Sequence, residues 1–132
     1  MTNQELINLA IEAKKNAMSP TNYRVGAAIL TTNGEVYTGC NLGSQDGIFN
    51  ICAERVAVCK MLSDGKKSFS KIAVVGGLGD ELTFTIPCGV CRQLIFEFGR
   101  DIEVILGYKD EEGKIVEKVQ KISELLPSGF SM

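Results

Sequence analysis

The 132-residue sequence contains no histidine. That excludes imidazole acid/base catalysis and imidazole metal ligation, so either chemistry must run through carboxylates and thiols. A basic excess is missing as well: 14 Lys and Arg stand against 16 Asp and Glu, for a formal net charge of −2. With a pI near 5.2, no surface dedicated to duplex nucleic acid is expected. No apolar run approaches the roughly 18 residues of a membrane span. The opening MTNQELINLA holds an acid and no basic segment, so no secretory signal is expected. Internal repeats, low-complexity tracts and linkers are likewise absent.

Hydrophobic residues reach 45% and charged residues 23%, close to the globular average. The length suits one domain spanning 1–132 that buries roughly two-thirds of its unfolded surface. Five cysteines are present. An odd number without a signal segment suits a reducing cytoplasm better than a disulfide framework.

Polar punctuation divides the chain into alternating elements. Leu6, Leu9, Ala10, Ala13 and Ala17 recur at helical spacing and predict an amphipathic helix over 3–18. Val25–Leu30 and Val36–Cys40 read as strands joined by Thr32-Asn33-Gly34, an antiparallel hairpin signal. The polar stretch 41–50, NLGSQDGIFN, is a loop. A helix is expected over Ile51–Leu62, a buried strand over Ile72–Val75, and a flexible connection at Gly76-Gly77-Leu78-Gly79 that lacks a phosphate-binding fingerprint. Pro87 suits the first turn of a helix over Cys88–Phe98. Strands at Glu103–Tyr108 and Ile115–Val119 and a short helix over Lys121–Leu126 complete the reading. The fold class is α/β, with a sheet of about five strands too apolar to leave both faces in water.

Chemistry concentrates in Cys52-Ala53-Glu54-Arg55 and Pro87-Cys88-Gly89-Val90-Cys91-Arg92. Both segments fall at expected helix starts, where unpaired N–H groups and a partial positive charge favour thiolate. Three thiolates from two facing helix ends make a cage for zinc, and three protein ligands leave the fourth position for water. Glu54, two residues from Cys52, is then beside that water without ligating the metal, in range to shuttle protons. Three thiolates on zinc leave a net −1, which Arg55 and Arg92 can offset by donating to the sulfurs. Taken alone, Cys88-x-x-Cys91 reads equally as a thioredoxin-like redox pair, and Glu54 alone as a solvated helix residue. Cys59 and Cys40 are expected to pack rather than ligate.

Cys-x-Glu followed by Pro-Cys-x-x-Cys is the zinc deaminase signature in its three-cysteine form. With Tyr23-Arg24-Val25-Gly26-Ala27-Ala28, Gly39-Cys40-Asn41 and the closing Glu124-Leu125-Leu126-Pro127-Ser128-Gly129-Phe130, nearly the whole chain resembles the small homotetrameric cytidine deaminases. The resemblance implies a three-layer α/β/α fold with a central mixed sheet. It also implies zinc on Cys52, Cys88 and Cys91, and Glu54 as general acid/base. The Ala53 backbone would hold the pyrimidine carbonyl. Tyr23 stands where the family has a phenylalanine beside the base, and Asn41 where an asparagine binds the sugar. Phe130 matches an aromatic that enters a neighbouring subunit's site, so a homotetramer with shared sites is implied. The substrate implied is a free nucleoside, since the acidic chain lacks the aromatic, basic groove that holds single strands.

Two positions depart from the pattern. Where the family has Asn-x-Glu, its glutamate gripping a ribose hydroxyl, this chain has Asn41-Leu42-Gly43, and Gly47 stands where a tyrosine is common. Asp46 is the available replacement from a rearranged loop. The alternatives are a modified nucleoside, as in the blasticidin S deaminases that share the zinc motif and a similar C-terminal ending, or a non-catalytic zinc-stabilised domain on the same scaffold.

Overall fold

The computed structural model describes all residues from Met1 to Met132. Its elements are α1 (Asn3–Lys14), β1 (Tyr23–Thr31), β2 (Val36–Cys40), α2 (Ala53–Ser63), β3 (Phe69–Leu78), α3 (Gly89–Phe98), β4 (Glu103–Lys109), β5 (Ile115–Lys121) and α4 (Ile122–Leu125). The sheet order is β2-β1-β3-β4-β5. Only β3 and β4 run parallel, with α3 in the crossover between them, so the sheet is mixed. The β1–β2 pair is the antiparallel hairpin expected from Asn33-Gly34, with Leu30 opposite Val36.

Alternation along β1 builds the layers. Ala27 and Ile29 pack in a core with Ala57, Met61, Ile95 and Phe96 from α2 and α3. Ala28 points the other way, into a second core with Leu6, Ile7 and Ala10 of α1. Both sheet faces are therefore covered by helices, and Ile72, Ala73, Val74 and Val75 are all fully buried. Two glycines let the helices sit close to the strands. A Cβ on Gly26 would lie 2.0 Å from the Ala10 carbonyl oxygen of α1, and one on Gly39 would lie 2.5 Å from the Ala53 oxygen of α2.

Several boundaries differ from the sequence reading. Helix α1 starts at a capping box, Thr2 with Glu5, but ends at Lys14 rather than residue 18. Met18 is drawn into extended pairing with Leu42, its N–H donating to the Asn41 oxygen at 3.3 Å, which helical backbone cannot do. Gly76, Gly77 and Leu78 are part of β3, opposite Val25, Arg24 and Tyr23 of β1, rather than a connection. Pro87 precedes the N-cap Cys88 instead of opening α3, because Cys88 is extended, with φ −64° and ψ 167°.

Candidate metal centre and active site

Helices α2 and α3 begin with their N-caps facing each other. Cys52 caps α2 with φ −71° and ψ 150°, and Cys88 caps α3; neither thiol bonds its own helix's amides. Their sulfurs are consequently free to meet, at 3.6 Å. Cys91, in the first turn of α3 and fully buried, joins them, and the three Sγ atoms lie within 4.8 Å of one another. Sulfurs at about 2.3 Å from a tetrahedral zinc are roughly 3.8 Å apart, so this donor set fits zinc.

Hydrogen bonding from Cys91, then from Cys88 and Arg55, pulls the Cys52 thiol down to about 5. The bond to Cys52 together with burial pushes the Cys91 thiol up. Arg55 Nη2 lies 3.9 Å from Cys52 Sγ and donates to the Asn50 oxygen at 3.3 Å. Its Nε is buried without a partner. Arg92 instead donates from Nε to the Pro87 oxygen at 2.8 Å, bracing the approach to Cys88.

Glu54 is only 3% exposed. Burial raises its carboxyl to about 7, with the neighbouring Cys52 adding to the shift. It lines a cavity of about 360 Å³ together with Cys52 and Cys88, a volume within the usual small-molecule range. Tyr23 and Asn41 line the same cavity. The Asn41 side chain also ties the strand: Oδ1 accepts from Val25 N at 2.8 Å, and Nδ2 donates to the Tyr23 oxygen at 3.2 Å. Ala53 is fully buried in the first turn of α2.

Other expectations are altered. Cys59 is exposed rather than packed in the core. Because Cys52 is an extended cap, the buried face of α2 is Ala53, Ala57, Val58 and Met61, and Cys59 falls outside it. Cys40 is half-buried at the end of β2. Asp46 bonds the Ser44 hydroxyl and Ile48 N within its own loop and does not line the cavity. Phe130, 67% exposed, also lies away from this cavity. Its backbone is clasped by Gln93 of α3, whose Nε2 donates to the Phe130 oxygen at 2.9 Å. Ser19, Thr21, Ser44, Asn50 and Thr85 complete much of the polar wall. Nothing local in the sequence marks these residues, since they come from three separate loops.

A mixed α/β sheet carrying three converging thiols and a buried carboxylate at one cavity defines a zinc-centre protein of catalytic type. Comparison with known proteins narrows that class. The family described as the cytidine and deoxycytidylate deaminase zinc-binding region matches residues 1–107. A probable cytidine deaminase of Dictyostelium discoideum is 39% identical, over 98% of this chain and 86% of its own length. The blasticidin-S deaminase of Bacillus cereus is 34% identical, over 96% and 91%. The crystal structure of cytidine deaminase from Burkholderia pseudomallei superposes with a TM-score of 0.84 at 36% identity, covering 98% of this chain and 100% of that one. The chain belongs to the cytidine and deoxycytidylate deaminase zinc-binding family.

Proposed function

We propose that the protein is a zinc-dependent cytidine deaminase. It adds water at ring carbon 4 of cytidine or deoxycytidine and releases ammonia, leaving uridine or deoxyuridine. The observation that carries this reading is the convergence of Cys52, Cys88 and Cys91 beside buried Glu54 at one cavity. Relatives named cytidine deaminase that align along nearly the whole chain support it.

Cys52, Cys88 and Cys91 hold the zinc. When bound, zinc supplies Lewis acidity that brings the pKa of water toward neutrality. Glu54 moves the protons: with its carboxyl raised to about 7, it both accepts and donates near neutral pH. It takes a proton from the attacking water and passes it to ring N3. It then takes the remaining proton of the hydroxyl added at carbon 4 and delivers it to the departing amine, so that ammonia leaves and the carbonyl forms. Arg55, beside Cys52, offsets the negative charge of the thiolates. The Ala53 backbone, in the first turn of α2, holds the ring carbonyl where helix N–H groups lack intrahelical partners. Tyr23 lies beside the base. Asn41 retains one amide hydrogen for the sugar, because a primary amide has two and Tyr23 takes one.

The working assembly is a homotetramer in the cytoplasm, serving pyrimidine salvage, with Phe130 entering a neighbour's site. Exposed Met18, Ile48, Phe49, Val90 and Phe130 support an apolar contact surface. No helix is long and apolar enough to cross a membrane.

A second reading, deamination of a modified cytosine nucleoside such as blasticidin S, draws on the absence of a side chain at Gly43 and the turned-away Asp46. Ammonia release from cytidine, deoxycytidine, cytosine, a methylated cytidine and blasticidin S separates the readings. Cytidine turnover supports the first; activity confined to blasticidin S replaces it with the second. Glu54→Gln should keep zinc and fold while turnover falls by roughly 10²–10⁴-fold or more. Unchanged turnover in that variant removes the mechanism.

A further inference from the structure

Helix α3 carries two of the thiols at its start, and beyond them the same helix holds the end of the chain. Leu126 packs against the core where α4 ends. The backbone then turns at Ser128, whose φ of +56° lies in the left-handed region that a residue other than glycine enters only at a cost. Gly129 comes to rest on the Phe96 ring of α3. A Cβ there would stand 3.0 Å from Phe96 Cδ1 and 2.9 Å from Leu126 Cδ2.

Phe130 follows, and a single side chain takes both polar groups of its backbone. Gln93 Nε2 donates to the Phe130 oxygen at 2.9 Å, and Phe130 N donates to Gln93 Oε1 at 3.3 Å. Nε2 also donates to Glu97 Oε2 at 3.0 Å, so both amide hydrogens of Gln93 are used. Arg100, just past the cap Gly99, lies 5.2 Å over the Phe96 ring and donates to the Ser131 hydroxyl at 3.1 Å. Residues 129, 130 and 131 are thus tied down in succession, where a chain end would otherwise fray.

These ties act on the main chain and leave the Phe130 ring outside its own chain's packing. The ring is 67% exposed and does not line the cavity beside the thiols. A held backbone with a free aromatic ring is suited to presenting that ring to another molecule. Resting on the assembly proposed above, in which Phe130 enters a neighbour's site, we propose that Gln93 is the positioning residue that aims it. Gln93 lies two residues past Cys91, so one helix sets both the metal ligands of its own site and the aromatic wall of the next.

The test measures ammonia release from cytidine by the zinc-loaded protein and three variants. Gln93→Leu keeps the size of the side chain and removes its hydrogen bonds; the others are Phe130→Ala and the two combined. A contact made equally with bound substrate and transition state shows in KM and not in kcat. Gln93→Leu should raise KM about tenfold, the size of one or two neutral hydrogen bonds, and leave kcat within about twofold. Phe130→Ala should raise KM at least as much. The double variant should match Phe130→Ala, because Gln93 then has nothing left to position. Exchange of the Phe130 amide hydrogen should quicken in Gln93→Leu, while zinc stays at about one per chain. Multiplied effects in the double variant, or unchanged KM or amide exchange in Gln93→Leu, overturn this inference alone. An unchanged KM in Phe130→Ala removes the shared-site reading, and a native protein that releases no ammonia from cytidine removes the cytidine reading. The inference falls with either.

Discussion

Cys91 and Cys59 are both helical thiols, yet their surroundings assign them opposite fates. Cys91 is fully buried among sulfurs, whereas Cys59 is exposed on the outer side of α2. Replacing Cys91 by Ala should reduce bound zinc from about one per chain to a trace, because two thiols and a pocket carboxylate do not complete the cage. Cys59→Ala should leave zinc content unchanged and shift stability by no more than about 0.5 kcal/mol, as surface substitutions do. Metal analysis and urea unfolding of the two variants check this contrast. Zinc loss in Cys59→Ala would contradict the assignment. The thiol triad and Glu54 were legible in the sequence because helix starts and short spacings are local properties. The role of Cys59 was not: its exposure depends on which face of α2 meets the sheet, and Cys52 stands outside the helical count.

At the scale of elements, glycine sets how closely the helices approach the sheet. In Gly39→Ala the new Cβ would collide with the Ala53 oxygen at the start of α2. The expected cost is about 1–3 kcal/mol, the range for forced overpacking. It should appear in urea unfolding together with weaker zinc retention, since Ala53 adjoins Cys52. Helix α1 contributes a second test. Lys14 is 3% exposed, and its ammonium donates to the Gly79 oxygen. Desolvation by burial holds its pKa below 10.5. Between that lowered value and 10.5 the unfolded chain binds more protons than the folded one, so stability rises with pH there. Below the lowered value the desolvation cost is present in full and constant. Unfolding free energies across the alkaline range should show this rise in the native protein and not in Lys14→Met. Element types and order were readable from periodicity and turn chemistry. The end of α1 was not, because Met18 leaves helical backbone only to pair with Leu42, a partner distant in sequence.

For the whole molecule, the thiols join the starts of two helices that pack in one core. Cys52 belongs to α2, and Cys88 and Cys91 to α3, so metal bound across them stabilises the fold that brings them together. Chelation should lower Tm, and added zinc should restore it, by the linkage that favours any state binding the ligand. An unchanged Tm in a fully stripped sample would contradict a structural contribution from the site. The proposed homotetramer predicts a solution mass four times that of the chain by light scattering, with the exposed Phe130 and Phe49 protected from labelling in the assembly.

The sequence alone marked the three thiols and the carboxylate beside them, and the absence of histidine left thiols and carboxylates as the available ligands. Helix caps, i to i+3 spacing and the alternation of β1 are local, so composition and order sufficed for them. Only the tertiary structure decided what surrounds that chemistry. It turned Asp46 into its own loop, directed Phe130 away from the chain's own cavity, and closed the wall at Gly43 with Ser19 and Pro20. It also paired several of the wall's polar groups with one another. Some of these outcomes depend on contacts between segments far apart in sequence, such as Tyr23 with Thr85 and Gly43 with Ser19 and Pro20. The closure energy of such contacts is shared by the whole fold and leaves no periodic mark on any one segment.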